Sequence, residues 1–283
     1  MKLTILGSAA AEAWPALFCE CAACAEARRR GGRNIRRRTA YWINRDTLVD
    51  FGPDICSQSL QFGIDLAEIR QIFVTHSHQD HFAPVELFWR RKGFSVVTRP
   101  LTLYANPKSY ERLRAEGSGF FPAFFKDIRL LEDLKVHEEV MLPGRTVNAG
   151  SLKVTALAAS HGDAQEQAMN YVIEEDGKAA LIGNDTGWWA DPTWEQVRQF
   201  KLDVVLLDCT YVHRAPEERR GHLGALATVA VRDRLAELGV LKPGAQVIVN
   251  HFSHNGLTLH EELCEFFRPH GMAVGYDGMV IEA

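Results

Sequence analysis

A chain of 283 residues, 46% hydrophobic and 24% charged, has the make-up of a globular protein able to bury a sizeable core, and its length suits one domain over 1–283. Its net charge of −4 gives no overall pull toward nucleic acid or an acidic membrane surface. No apolar run approaches the roughly 20 residues that span a bilayer. The apolar stretch behind Lys2 also falls short of the roughly 7–15 residues of a secretory signal, so a cytoplasmic location without membrane partners is expected.

Residues 2–6 read as a short strand, and Gly7-Ser8 opens a loop. Cys19-Glu20-Cys21-Ala22-Ala23-Cys24 follows, a C-x-C-x2-C cluster that in a reducing compartment points to a metal site rather than a disulfide framework. Three thiolates leave a tetrahedral zinc one ligand short. The arginines at 28–30, 33 and 36–38 form a basic belt, which reads as a solvated helix end and loop. Residues 39–44 and 46–50 have the pattern of a hairpin ending at Asp50, and 55–62 and 65–68 suit short helical turns.

The apolar run 72–74 leads directly into Thr75-His76-Ser77-His78-Gln79-Asp80-His81. A strand ending in a tight turn would bring these three imidazoles and one carboxylate to one sheet edge, and they are the ligand types that suit zinc, iron or manganese. Residues 84–90 predict a helix with Pro84 in its first turn, its amino end beside His81. A strand over 101–104 and a helix over 108–115 follow. Phe120, Phe121, Phe124 and Phe125 then cluster around Pro122, as core packing or a subunit contact, with a lid as the lesser reading.

Residues 136–141, 152–158, 169–174 and 179–183 alternate as antiparallel strands do. Two of these lead to His161 and to Asp185. The apolar run 202–208 predicts a strand buried on both faces. A polar loop over 210–221 carries Arg214, Arg219 and Arg220, which read as a solvated charged loop or as candidates to meet an anion, and His222 precedes a helix reaching about 238. A strand over 246–250 delivers His251 and His254, a helix spans 260–267, and 272–276 with 279–281 predict a closing hairpin around Asp277-Gly278.

The motif His76-x-His78-x-Asp80-His81 resembles the signature of the metallo-β-lactamase superfamily of hydrolases. The cysteine cluster, His222, His254 and the ending Gly275-Tyr276-Asp277-Gly278-Met279 resemble in particular the phosphoribosyl cyclic phosphate phosphodiesterases of phosphonate breakdown. The start of the chain is also similar to the pyrroloquinoline-quinone biosynthesis B proteins. The resemblance implies an α/β, four-layer αββα sandwich, two mixed sheets with helices on the outer faces. It implies one metal on His76, His78 and His161, a second on Asp80, His81 and His251, and Asp185 bridging them. Asp50 would brace the metal loops, and His254 would complete a structural zinc with Cys19, Cys21 and Cys24.

With two divalent ions (zinc, manganese or iron), the implied chemistry is attack by a metal-bridging hydroxide on a small or cyclic phosphate ester. Asp80 and His222 would be catalytic, His222 by donating a proton or offsetting phosphoryl charge. Trp188 and Trp189 either wall the pocket or pack in the core. Other ester or lactone hydrolysis, RNA processing and a non-hydrolytic biosynthetic role stand as alternatives. Nucleic acid is the less favoured partner, and a homodimer is left open.

Overall fold

In the computed structural model, which describes residues 1–120 and 130–283, most strands bury both of their faces. The first sheet contains β1 (Lys2–Gly7), β2 (Ala40–Ile43), β3 (Thr47–Val49), β4 (Gln71–Phe73), β5 (Leu101–Ala105) and β6 (Val136–Val140). The second contains β7 (Thr146–Ala149), β8 (Leu152–Ala158), β9 (Met169–Glu175), β10 (Lys178–Gly183), β11 (Leu202–Asp208), β12 (Leu241–Asn250) and β13 (Ala273–Val274). The last strand, β14 (Val280–Glu282), returns to pair with β1. The orders are β14-β1-β2-β3-β4-β5-β6 and β13-β12-β11-β10-β9-β8-β7. Each sheet is antiparallel through one half, β14 to β3 or β7 to β10, and parallel through the other.

Side-chain alternation explains the layers. Val204 and Leu206 of β11 point at the first sheet and meet Ile5, Tyr41 and Phe73, while Val205 and Leu207 point outward. Between the sheets Phe73 stacks on Tyr104 with ring centroids 4.3 Å apart. Burying each such side chain contributes about 1.5–3 kcal/mol. Outside the second sheet lie α1 (Ala22–Arg30), α5 (Asp191–Val197), α6 (Ala225–Glu237) and α7 (His260–Phe267), which bury Ala27, Trp194, Leu235 and Leu263. Outside the first sheet lie α2 (Ile55–Phe62) and α3 (Pro107–Phe120), with Ile55 and Leu113 inward, and the short α4 (Leu130–Asp133). The result is the expected αββα sandwich. No helix among the described residues is long and apolar enough to cross a membrane.

Several local expectations change. Residues 272–281 do not close a hairpin: β13 pairs with β12 in one sheet and β14 with β1 in the other. The turn between them is fixed instead by Asp277, which accepts hydrogen bonds from the Ser8 hydroxyl and the Arg37 amide, both at 2.7 Å. Strand β6 runs parallel to β5 rather than antiparallel, and β7 was not foreseen. Pro84–Arg90 is a 3-10 helix, whose aligned dipole at His81 is weaker than an α-helix would supply. Arg36 is not solvated but fully buried, bonded to Ser8, Gly275 and His260. The side chains of the aromatic cluster around Pro122 lie outside what the structure describes.

Candidate metal centre

Strand ends of both sheets meet at one edge of the sandwich. Asp50 follows β3 and His76 to His81 follow β4, while His161, Asp185, Asp208 and His251 sit at or just beyond the ends of β8, β10, β11 and β12. Backbones come close enough there to require glycine: a Cβ on Gly52 would stand 2.1 Å from the carbonyl oxygen of Asp80. The seven side chains singled out in the sequence converge. Asp185 lies centrally, Oδ2 at 2.7 Å from His81 Nε2 and 2.8 Å from His251 Nε2, and Oδ1 at 3.7 Å from His161 Nε2. Asp80 Oδ2 is 3.2 Å from His81 Nε2, and His78 Nδ1 is 3.2 Å from His161 Nε2. His76 packs against His78, His81 and His161 with ring centroids 4.4–4.9 Å apart.

The rings are held from behind. His81 donates Nδ1–H to Asp50 at 2.6 Å, and His251 donates Nδ1–H to the Thr210 hydroxyl at 2.8 Å. His161 donates Nδ1–H to Gly221 O at 3.0 Å, and His76 Nδ1 lies 3.0 Å from the Thr75 hydroxyl. Each of the four therefore keeps Nε2 for the centre, the arrangement expected of metal-binding histidines. Nε2 of His76, His81 and His251 and Oδ2 of Asp185 are buried without a well-directed hydrogen bond among the described residues, the close contacts of Asp185 with His81 and His251 included. Buried polar atoms without partners are costly, and a divalent cation is what these four atoms fit.

Charge at the centre is strongly coupled. Burial opposes ionisation of Asp185, but His251 and His81 hold its carboxyl well below the usual range. Burial likewise opposes a charged His251, yet Asp185 and Asp208 lift it to about 10. His76 is driven the other way, by burial and then by His81.

Asp208 and Thr210 were missed in the sequence. Asp208 accepts from the Thr210 amide and hydroxyl, the Leu223 amide and His222 Nδ1, all within 2.9–3.1 Å. Asp50 does the same for the Thr75 amide and hydroxyl and for His81. The signal was present: both carboxylates close a buried strand, and only Asp50 stood in a recognisable motif. His222 lies beside the centre, ring centroids 4.8 Å from His161 and 5.6 Å from His251.

Of the other candidates, Trp189 is core, donating Nε1–H to Asn170 at 2.8 Å, while the half-buried Trp188 carries Arg219 over its ring at 4.4 Å. Arg220 pairs with Glu218, and Arg214 borders a shallow surface depression with His213 and Leu257.

Cys19, Cys21, Cys24 and His254 form a second cluster, with all four ligand atoms within 4.8 Å of one another. His254 Nδ1 lies 3.6 Å from Cys19 Sγ and 3.7 Å from Cys21 Sγ. A tetrahedron with zinc–sulfur and zinc–nitrogen bonds of ordinary length has an edge of about 3.6 Å, so the four atoms fit zinc. Backbone amides of Ala16, Cys21 and Cys24 donate to the sulfurs. Burial opposes the thiolate, but hydrogen bonds from His254 and the Cys24 amide draw the Cys21 thiol down to about 6. The cluster reaches the centre through a backbone exchange in which Phe252 N–H donates to Ser8 and Ala10 N–H to Phe252.

Comparison with known proteins agrees with this architecture. The family model described as "Beta-lactamase superfamily domain" matches residues 45–252. Zinc-bound PqqB from Methylobacterium extorquens is similar in structure, with a TM-score of 0.73 and 20% identity over 100% of both chains. A diphosphatase from the PhnP family has a TM-score of 0.71 and 23% identity over 100% of this chain and 97% of that one. At such identities the likeness is one of fold. Ribonuclease Z from Pyrococcus abyssi is 31% identical over 130 residues, 45% of this chain and 38% of that protein.

Proposed function

We propose that this chain, which belongs to the beta-lactamase superfamily, is a dinuclear metal-dependent phosphodiesterase acting on a small or cyclic phosphate ester. The observation that carries the proposal is the central carboxylate of Asp185, shared between His161 on one side and His81 and His251 on the other. His76, His78 and His161 would hold one divalent ion, Asp80, His81 and His251 the other, with Asp185 between. Two such ions lower the pKa of bound water and stabilise both the attacking and the leaving oxygen of a displacement.

The chain's own groups supply the rest. Asp208 fixes His222 through Nδ1 at 3.0 Å, which leaves Nε2 as the nitrogen to serve substrate. Burial opposes the imidazolium, but Asp208 and Asp185 raise the pKa of His222 above its ordinary value. A protonated Nε2 beside the centre can hand its proton to a departing alkoxide or offset phosphoryl charge. Arg219, three residues before His222 and laid over Trp188, would be a cation to meet the rest of an anionic substrate. The thiolate cluster would hold a structural zinc that stiffens the His251 loop without entering the chemistry.

A second reading, RNA processing, is favoured by the similarity to ribonuclease Z. The metal-loaded protein should be assayed on bis-p-nitrophenyl phosphate, a cyclic nucleotide, a lactone and a transfer-RNA precursor, with Mn²⁺ or Zn²⁺ added. Turnover of the first two alone is expected. Cleavage confined to the lactone or to the RNA would overturn the proposal, and inertness toward all four would favour a non-hydrolytic role.

A further inference from the structure

We infer that Glu166 is a positioning residue for the metal held by His76, His78 and His161, an inference that rests on the paired-metal reading above. Glu166 belongs to the loop between β8 and β9, the loop that also carries His161, and it is only 6% exposed. Both of its carboxylate oxygens are used on one residue: Oε1 accepts the Ser77 amide at 2.6 Å and Oε2 the Ser77 hydroxyl at 2.8 Å. Ser77 stands between His76 and His78, so the orientation of its backbone sets the direction of both rings. Its carbonyl is held as well, by Nη1 of Arg112 from α3 at 2.6 Å. Ser77 lies in no strand or helix, and two charged side chains from separate elements satisfy its peptide groups instead.

Glu166 is itself fastened. Its amide donates to Asp163 Oδ1 at 2.9 Å, and its carbonyl accepts Nδ2–H of Asn106 at 2.6 Å. The same Asn106 accepts the Ser109 amide at 2.8 Å in the first turn of α3. Gly162 makes the fold-back possible: its φ is +69°, and a Cβ there would stand 2.9 Å from the Cβ of Glu166. One loop thus supplies the third ligand and, through Glu166, fixes the other two. Asp50 acts in this way on Thr75 and His81, and Asp208 on Thr210 and His222; Glu166 does so for the turn between His76 and His78.

The test is site-selective metal binding. Wild type, Glu166→Ala and Glu166→Gln, each stripped of metal and then given one equivalent of Zn²⁺ to fill the thiolate cluster, are titrated with Mn²⁺, a hard ion that this cluster disfavours. Equilibrium dialysis and the electron paramagnetic resonance spectrum then separate a spin-coupled pair from a lone ion. Wild type should show the coupled pair. Glu166→Ala should keep one ion and bind the other roughly 10–100-fold more weakly, so that a lone-ion spectrum persists at half saturation. Glu166→Gln, which keeps an acceptor for the Ser77 amide, should fall between.

If both variants bind two ions as tightly as wild type, Glu166 has no positioning role. Equal loss of both ions in both variants would also overturn it, because the carboxylate would then serve general folding. A wild type unable to hold a coupled pair would overturn the paired-metal reading itself, and this inference with it.

Discussion

Asp208 accepts the Nδ1 proton of His222 at 3.0 Å while its other oxygen takes the amides of Thr210 and Leu223. One carboxylate therefore orients the proposed acid and, through the Thr210 hydroxyl, His251. The two roles separate by substitution. His222→Ala should lose about 10²–10⁴-fold in turnover and keep its metal. Asp208→Ala should lose both, since Thr210 is freed as well. Turnover and metal content measured on the same preparations decide it, and an active His222→Ala would remove this histidine from the site. Asp208, which holds no metal in this proposal, is the main group raising the His222 pKa, so the acid form persists above the ordinary imidazole range and activity falls on the alkaline side.

The thiolate cluster gives a second prediction. Cys21 caps α1 by accepting the Cys24 amide and faces His254, so it joins the amino-terminal loop to the loop after His251. Cys21→Ser should lower zinc content and destabilise the fold by about 2 kcal/mol or more, roughly 3–4 °C or more in a chain of this size. Zinc content and thermal midpoint should fall together. Were either to stay at the wild-type value, the cluster would not be a structural zinc site.

What the sequence made legible was local. His76, His78, Asp80 and His81 fall within a single turn, so their shared purpose shows without the fold. His161, Asp185 and His251 are isolated residues, and each became recognisable only through a family resemblance. The supporting carboxylates were invisible for physical reasons. Asp208 ends an apolar strand and reads as its polar boundary, and Glu166 lies in a loop of exposed polar residues. Arg36 was hidden in a basic run, because a list of charges does not tell which one turns inward. The final hairpin failed because a turn signal around Asp277-Gly278 does not specify whether the flanking strands meet each other or two different sheets.

Metal uptake should release protons. In the metal-free protein Asp185 and Asp208 raise His251 to about 10, so at neutral pH its Nε2 carries a proton that a metal must displace. Apparent affinity for Zn²⁺ should therefore rise with pH through neutrality and level off only above about 10. Titration in a weakly buffered solution with a pH indicator would register the release. Affinity that stays flat from about pH 6 to about pH 9 would show that no proton leaves.

Asp277 predicts a pH-dependent stability distinct from the metal chemistry. Its carboxyl is buried in the turn that passes between the sheets, and burial pushes its pKa from 3.8 up to about 6 against the Ser8 and Arg37 hydrogen bonds. The folded state holds this proton more tightly than the unfolded one. The stabilisation is therefore complete below 3.8 and is lost as pH rises through about 6. A shift of this size corresponds to about 3 kcal/mol. Asp277→Asn, which buries a neutral group at every pH, should lack this component. Denaturant unfolding of both proteins between about pH 4 and about pH 7 isolates the component as their difference. A difference constant over that range would mean that Asp277 is already ionised throughout, held by Arg36 and Arg37 as a permanent charge.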